Sequence, residues 1–98
     1  MQFKKNKDII RLQKDIIPIL KKNNVVKAGI FGSYARGEAK KKSDIDILIQ
    51  PPKGIGFRFA GIQLELEEKL KRKVDLVSYN GISPYLEKYI LKDEIRIL

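Results

Sequence analysis

The sequence predicts an α/β (α+β) fold in which a small mixed β-sheet is flanked by helices. Three observations lead there. Two long segments repeat apolar residues at helical spacing, short β-branched runs fall between and after them, and glycine or proline punctuates the joints. The resulting order is α-β-(short α)-β-α-β-α, closed by a short edge strand, and the 98 residues are expected to form a single domain.

The first helix runs from about Asn6 to Lys22, where Ile9, Leu12, Ile16, Ile19 and Leu20 recur at three- and four-residue steps. Pro18 is expected to kink or split it. Asn23-Asn24 breaks the pattern, and Val25 to Phe31 is β-branched and aromatic enough for a strand, ending at Gly32. Gly32-Ser33 then opens a short helix through Arg36. After a polar stretch to Lys42, Asp44 to Ile49 alternates as a second strand, stopped by Pro51-Pro52. Beyond Gly54 and Gly56, the residues Phe59, Ile62, Leu66 and Leu70 line one face of a helix reaching about Lys71. Val74 to Val77 is a third strand, and Ser83-Pro84 reads as the N-cap and first turn of a helix to about Lys92. Ile95 to Ile97 is the edge strand.

Composition removes whole chemistries. Cys and His are both absent, which excludes thiol nucleophiles, Ser-His-Asp triads, disulfides and Cys/His zinc sites. Catalysis is left to carboxylates, hydroxyls, lysines or arginines, and any metal is expected to be a hard cation with oxygen ligands. No apolar stretch approaches the roughly 18–20 residues that span a bilayer, and Met1 to Lys5 is not followed by an apolar signal core. The expected location is the cytoplasm, with no membrane partner.

The formal charge is +9, and the excess sits in residues 1–42, which hold 12 Lys or Arg against Asp8, Asp15 and Glu38. Lys40-Lys41-Lys42 is the densest cluster, but it is short and lacks interleaved aromatics, so nucleic acid is not the expected partner.

The chemistry concentrates in the second and third strands. Residues two apart on a strand share a side, so Asp44 and Asp46 face one way while Ile45, Ile47 and Ile49 face the core. At a Cα separation of roughly 6.6 Å the two charges repel by about 2.5 kcal/mol at an effective dielectric of 20, and by about 0.6 kcal/mol in water. Asp75 repeats the pattern between Val74 and Leu76. If the strands are neighbours, three carboxylates share a patch, and a divalent cation would offset their repulsion. Upstream, the glycine of Gly32-Ser33 lets a phosphate approach the backbone, with the serine hydroxyl as a further donor. Bland alternatives exist: Gly32 can merely end a strand, Ser33 cap a helix, Arg36 pair with Glu38, and Ser43 hydrogen-bond the turn before the strand.

Gly32-Ser33-Tyr34-Ala35-Arg36-Gly37 followed by Ser43-Asp44-Ile45-Asp46 resembles the signature of the polymerase-β-like nucleotidyltransferase superfamily. The match is closest to its minimal nucleotidyltransferase branch, whose third acid falls in Arg72-Lys73-Val74-Asp75-Leu76-Val77. The resemblance implies the nucleotidyltransferase fold. It also implies that Asp44 and Asp46 hold two Mg2+ ions and that Asp75 holds the metal at the acceptor hydroxyl and helps that hydroxyl lose its proton. Gly32 and Ser33 would bind phosphates of ATP, with Arg36 as a further phosphate ligand. Members of this branch commonly act as antitoxins that add AMP to a HEPN-domain ribonuclease toxin, so a hetero-oligomer with such a protein is expected. A chain this short is expected to have its acceptor site completed by a partner, by self-association or by the substrate itself; a heteromeric complex is expected, with the basic first helix or the Lys40-Lys41-Lys42 loop as candidate docking surfaces. Two other readings compete: a binding module that silences its partner by occlusion, and an accessory protein that binds nucleotide or nucleic acid.

Overall fold

The computed structural model describes residues 7–98. Helix α1 spans Lys7–Lys22, strand β1 Ala28–Phe31, helix α2 Gly32–Arg36 and strand β2 Ile45–Ile49. Helix α3 spans Arg58–Leu70, strand β3 Val74–Ser78, helix α4 Glu87–Asp93 and strand β4 Ile95–Arg96. The expected start of the first helix at Asn6 lies outside the described residues.

The strands form one mixed sheet in the order β3-β2-β1-β4. β1 runs antiparallel to both β2 and β4, whereas β2 and β3 are parallel. A parallel pair needs a crossover, and α3 supplies it. Alternation then sorts the residues. Ala28, Ile30, Ile45, Ile47, Ile49, Val74 and Leu76 are buried against Ile9, Ile16, Ile19 and Leu20 of α1 and Ile62 and Leu66 of α3. Gly29, Phe31, Asp46, Leu48, Asp75 and Val77 take the opposite side of the sheet. The expected α/β architecture is present.

Three local expectations need correction. Pro18 does not split α1, which is continuous over 16 residues. Pro18 and Lys14 both lie on the exposed side, so the one carbonyl that proline leaves without a donor is on the solvent side of the helix. The first strand begins at Ala28 rather than Val25. Val25 donates its N–H to the Leu20 carbonyl at 2.9 Å, which ties it to the end of α1. The last helix begins at Glu87, not at Ser83-Pro84. Ser83 instead anchors the turn before it, its carbonyl accepting from Leu86 and Glu87 and its hydroxyl from the Tyr85 N–H. A 3-10 turn at Tyr79–Gly81, which the sequence reading lacked, follows β3 directly.

Candidate functional site

Asp46 is the centre of the outer sheet face. It pairs in register with Phe31 on one side and with Asp75 on the other, so the two carboxylates leave neighbouring strands side by side. Asp44 stands one residue before β2 and is exposed, as is Asp75, while Asp46 is half-buried. Burial pushes the Asp46 carboxyl up to about 6 from an ordinary 3.8, and the charges of Asp75 and then Asp44 push the same way. Arg36 pulls in the opposite direction. Desolvation and like charge both disfavour the carboxylate here.

The approach to Asp46 is shaped by Gly32, the first residue of α2. Its φ is +71°, in the left-handed region, and a side chain there would overlap the Asp46 carboxylate oxygen Oδ2. Two independent constraints therefore select glycine. Ser33 follows, partly exposed, whereas Tyr34 turns inward and is buried in the core. Gly37 ends the helix at φ 75°.

Arg36 does not point free. Its Nε donates to Glu38 Oε1 and its Nη1 to Asp93 Oδ2, each at 3.0 Å, so it links α2 to the end of α4. Ser43 does what the bland reading held: its hydroxyl accepts the Lys40 N–H at 2.7 Å and closes the turn before Asp44. Arg72 holds the same loop from outside, donating to the carbonyls of Lys41 and Ser43. These contacts bridge positions 31 and 29 residues apart and leave no local signal in the sequence around Arg72.

Gly29 was also passed over. It pairs with Leu48 and with Arg96, and the Glu94 side chain lies where a β-carbon at position 29 would stand. Tyr79 donates its hydroxyl to Glu94, and Lys27 Nζ sits 4.2 Å from the centre of the Tyr79 ring. Burial, and then the Glu94 bond, hold the Tyr79 hydroxyl protonated well above the ordinary tyrosine range. An isolated glycine inside a strand is the sequence signal that pointed to this close approach.

Among the described residues, no three acidic side chains converge tightly enough to enclose an ion unaided. The donor chemistry nevertheless suits a hard divalent cation. Asp46 is an oxygen donor whose charge is opposed by two neighbouring carboxylates, and an added positive charge would relieve that opposition.

A strand–Gly-Ser–helix turn set against paired aspartates on a mixed sheet defines a nucleotidyltransferase. The chain belongs to the family described as Polymerase beta, Nucleotidyltransferase, whose sequence profile matches residues 14–98. It is 44% identical over 92 residues to a Methanocaldococcus jannaschii protein named provisionally as a protein adenylyltransferase, covering 93% of this chain and 99% of that one. Two solved structures share the fold. One, described provisionally as a minimal nucleotidyltransferase, superposes with a TM-score of 0.79 at 30% identity and covers 93% of this chain and 94% of its own. The other is a toxin–antitoxin structure with AMP-PNP, with a TM-score of 0.75 at 25% identity, covering 86% of this chain and 70% of its own. Among the described residues, no helix is long and apolar enough to cross a membrane.

Proposed function

We propose that this nucleotidyltransferase moves AMP from ATP to a hydroxyl of a protein partner, and that the partner is a HEPN-domain ribonuclease toxin silenced by the modification. The observation that carries the reading is the placement of Asp46 between Asp75 and the side-chain-free Cα of Gly32. It sets paired acids beside the Gly32-Ser33 turn, whose backbone N–H groups this reading takes as the phosphate donors. The M. jannaschii relative's provisional name supports protein as the acceptor. AMP-PNP in the related toxin–antitoxin structure supports an adenine nucleotide and a toxin partner.

In this reading Gly32 and Ser33 bind the β- and γ-phosphates. Asp44 and Asp46 would hold two magnesium ions, which when bound supply charge compensation to the triphosphate and lower the pKa of the acceptor hydroxyl. Asp75 would hold the metal at the acceptor hydroxyl and help that hydroxyl lose its proton. The acceptor oxygen bonds to the α-phosphorus, the bond from that phosphorus to the bridging oxygen breaks, and pyrophosphate departs. Arg36 reaches phosphate only by exchanging Glu38 or Asp93 for it, since its guanidinium already contacts both.

The test is to incubate the protein with magnesium, labelled ATP and the product of the adjacent gene. Label is expected on the neighbour with the wild type and not with Asp46→Asn. Equal labelling by both would overturn the assignment.

A further inference from the structure

A second concave surface lies away from the acid face. Between α1, the end of α3 and the Lys40–Ser43 loop is a groove of about 360 Å3. Five cations line it, Arg11, Lys40, Lys41, Lys69 and Arg72, against two acids, Asp8 and Asp15. None of Asp44, Asp46, Asp75, Gly32 or Ser33 contributes to its wall. Its apolar floor includes Leu12 and Leu70, which pack on the core side of the sheet.

The charges of the groove are poorly balanced from within. Asp8 is engaged by Arg11 at 3.7 Å, and Arg72 is committed to the Lys41 and Ser43 carbonyls. Among the described residues, Lys40, Lys41 and Lys69 form no ion pair with any carboxylate. Lysines of like charge gathered in a concavity, rather than spread on a convex face, focus a positive potential there. A multiply charged anion relieves their repulsion at once, and the compact ammonium group is a good point-charge ligand for phosphate.

Size and composition narrow the class. The volume suits a ligand of nucleotide size or smaller. Tyr34 is the one aromatic residue in the lining, and it belongs to the buried core, so the groove offers no platform for stacking successive bases. We propose that the groove is a second ligand site, specific for a small polyphosphate-bearing molecule. The loop that carries Lys40 and Lys41 runs directly into Asp44, so a bound anion rests against the segment that presents the acid face.

The test is calorimetric titration of the full chain with inorganic tripolyphosphate in EDTA at low salt. Without a cation the acid face repels the anion, so saturable binding reports the groove. Binding at one site is expected, weakened about tenfold or more in Lys41→Ala/Lys69→Ala and unchanged in Ser33→Ala and in the distant Lys53→Ala. Should the double variant fail to give a native circular dichroism spectrum, Lys69→Gln, at an exposed helix position, carries the same comparison. Four results would each overturn the proposal: no binding, binding that ignores the lysine substitutions, loss of binding in Ser33→Ala, or preference for a single-stranded RNA of about ten nucleotides over tripolyphosphate.

Discussion

The carboxylate of Asp46 occupies the volume that a side chain on Gly32 would need, so these two positions are a matched pair across the start of α2. One supplies charge, and the other supplies the gap in which that charge is presented.

Gly32→Ala is accordingly expected to do double damage. It forces a non-glycine residue to φ +71° and drives a methyl group into Asp46. We expect a loss of about 1–3 kcal/mol in stability by thermal denaturation, together with loss of AMP transfer. Combining it with Asp46→Gly should recover part of the stability and none of the transfer, so a simple sum of the two single effects would contradict the pairing.

Asp46 makes stability depend on pH with a definite sign. Its folded-state value of about 6 exceeds the ordinary 3.8, so the folded chain holds a proton that the unfolded chain releases. Stability is therefore highest below the ordinary value and falls as the pH rises through about 6. Asp46→Asn removes that loss. At pH 7 it should stabilise by about 1 kcal/mol, a figure discounted because water reaches half of the group, and raise Tm by roughly 4–8 °C. Near pH 3 the two proteins should melt alike. Magnesium should raise the melting temperature of the wild type at pH 7 and leave that of Asp46→Asn nearly unchanged.

Asp75→Asn isolates the contribution of the neighbouring strand. Removing that charge should move the Asp46 titration toward the ordinary carboxylate range, read by carboxyl NMR across pH 3–8. Burial will still hold it high, because desolvation is the larger cause. AMP transfer should drop by about 100-fold or more, the scale of a lost proton acceptor.

Gly29→Ala tests the far end of the same face. A β-carbon there meets the Glu94 side chain, so we expect a loss of about 1–3 kcal/mol, largely restored by adding Glu94→Ala. Tyr79→Phe should cost about 1 kcal/mol through the lost hydrogen bond to Glu94. Denaturant melts of the four proteins check both statements.

The alternation of Asp44 and Asp46 with Ile45, Ile47 and Ile49 was readable directly, because strand geometry alone sends them to opposite sides. Asp75 was harder. Its place beside Asp46 depends on a parallel pairing made through α3, which no local pattern encodes, and the family resemblance supplied it. Val25 misled for a related reason: β propensity is blind to the hydrogen bond that ties its N–H to Leu20. Pro18 misled because its cost depends on which side of the helix it occupies. The contacts of Glu94 with Gly29 and of Arg72 with the Lys41 and Ser43 carbonyls join segments far apart in the chain, so neither could be seen before the strands were ordered.

The right-hand neighbour of Asp46 arrives late in the chain, after an entire intervening helix has been laid down. A copy that stops short of β3 would carry Asp46 without Asp75 beside it, leaving Asp44 as the neighbouring carboxylate. The paired acids are thus a property of the finished sheet, made only when the parallel strand is in place.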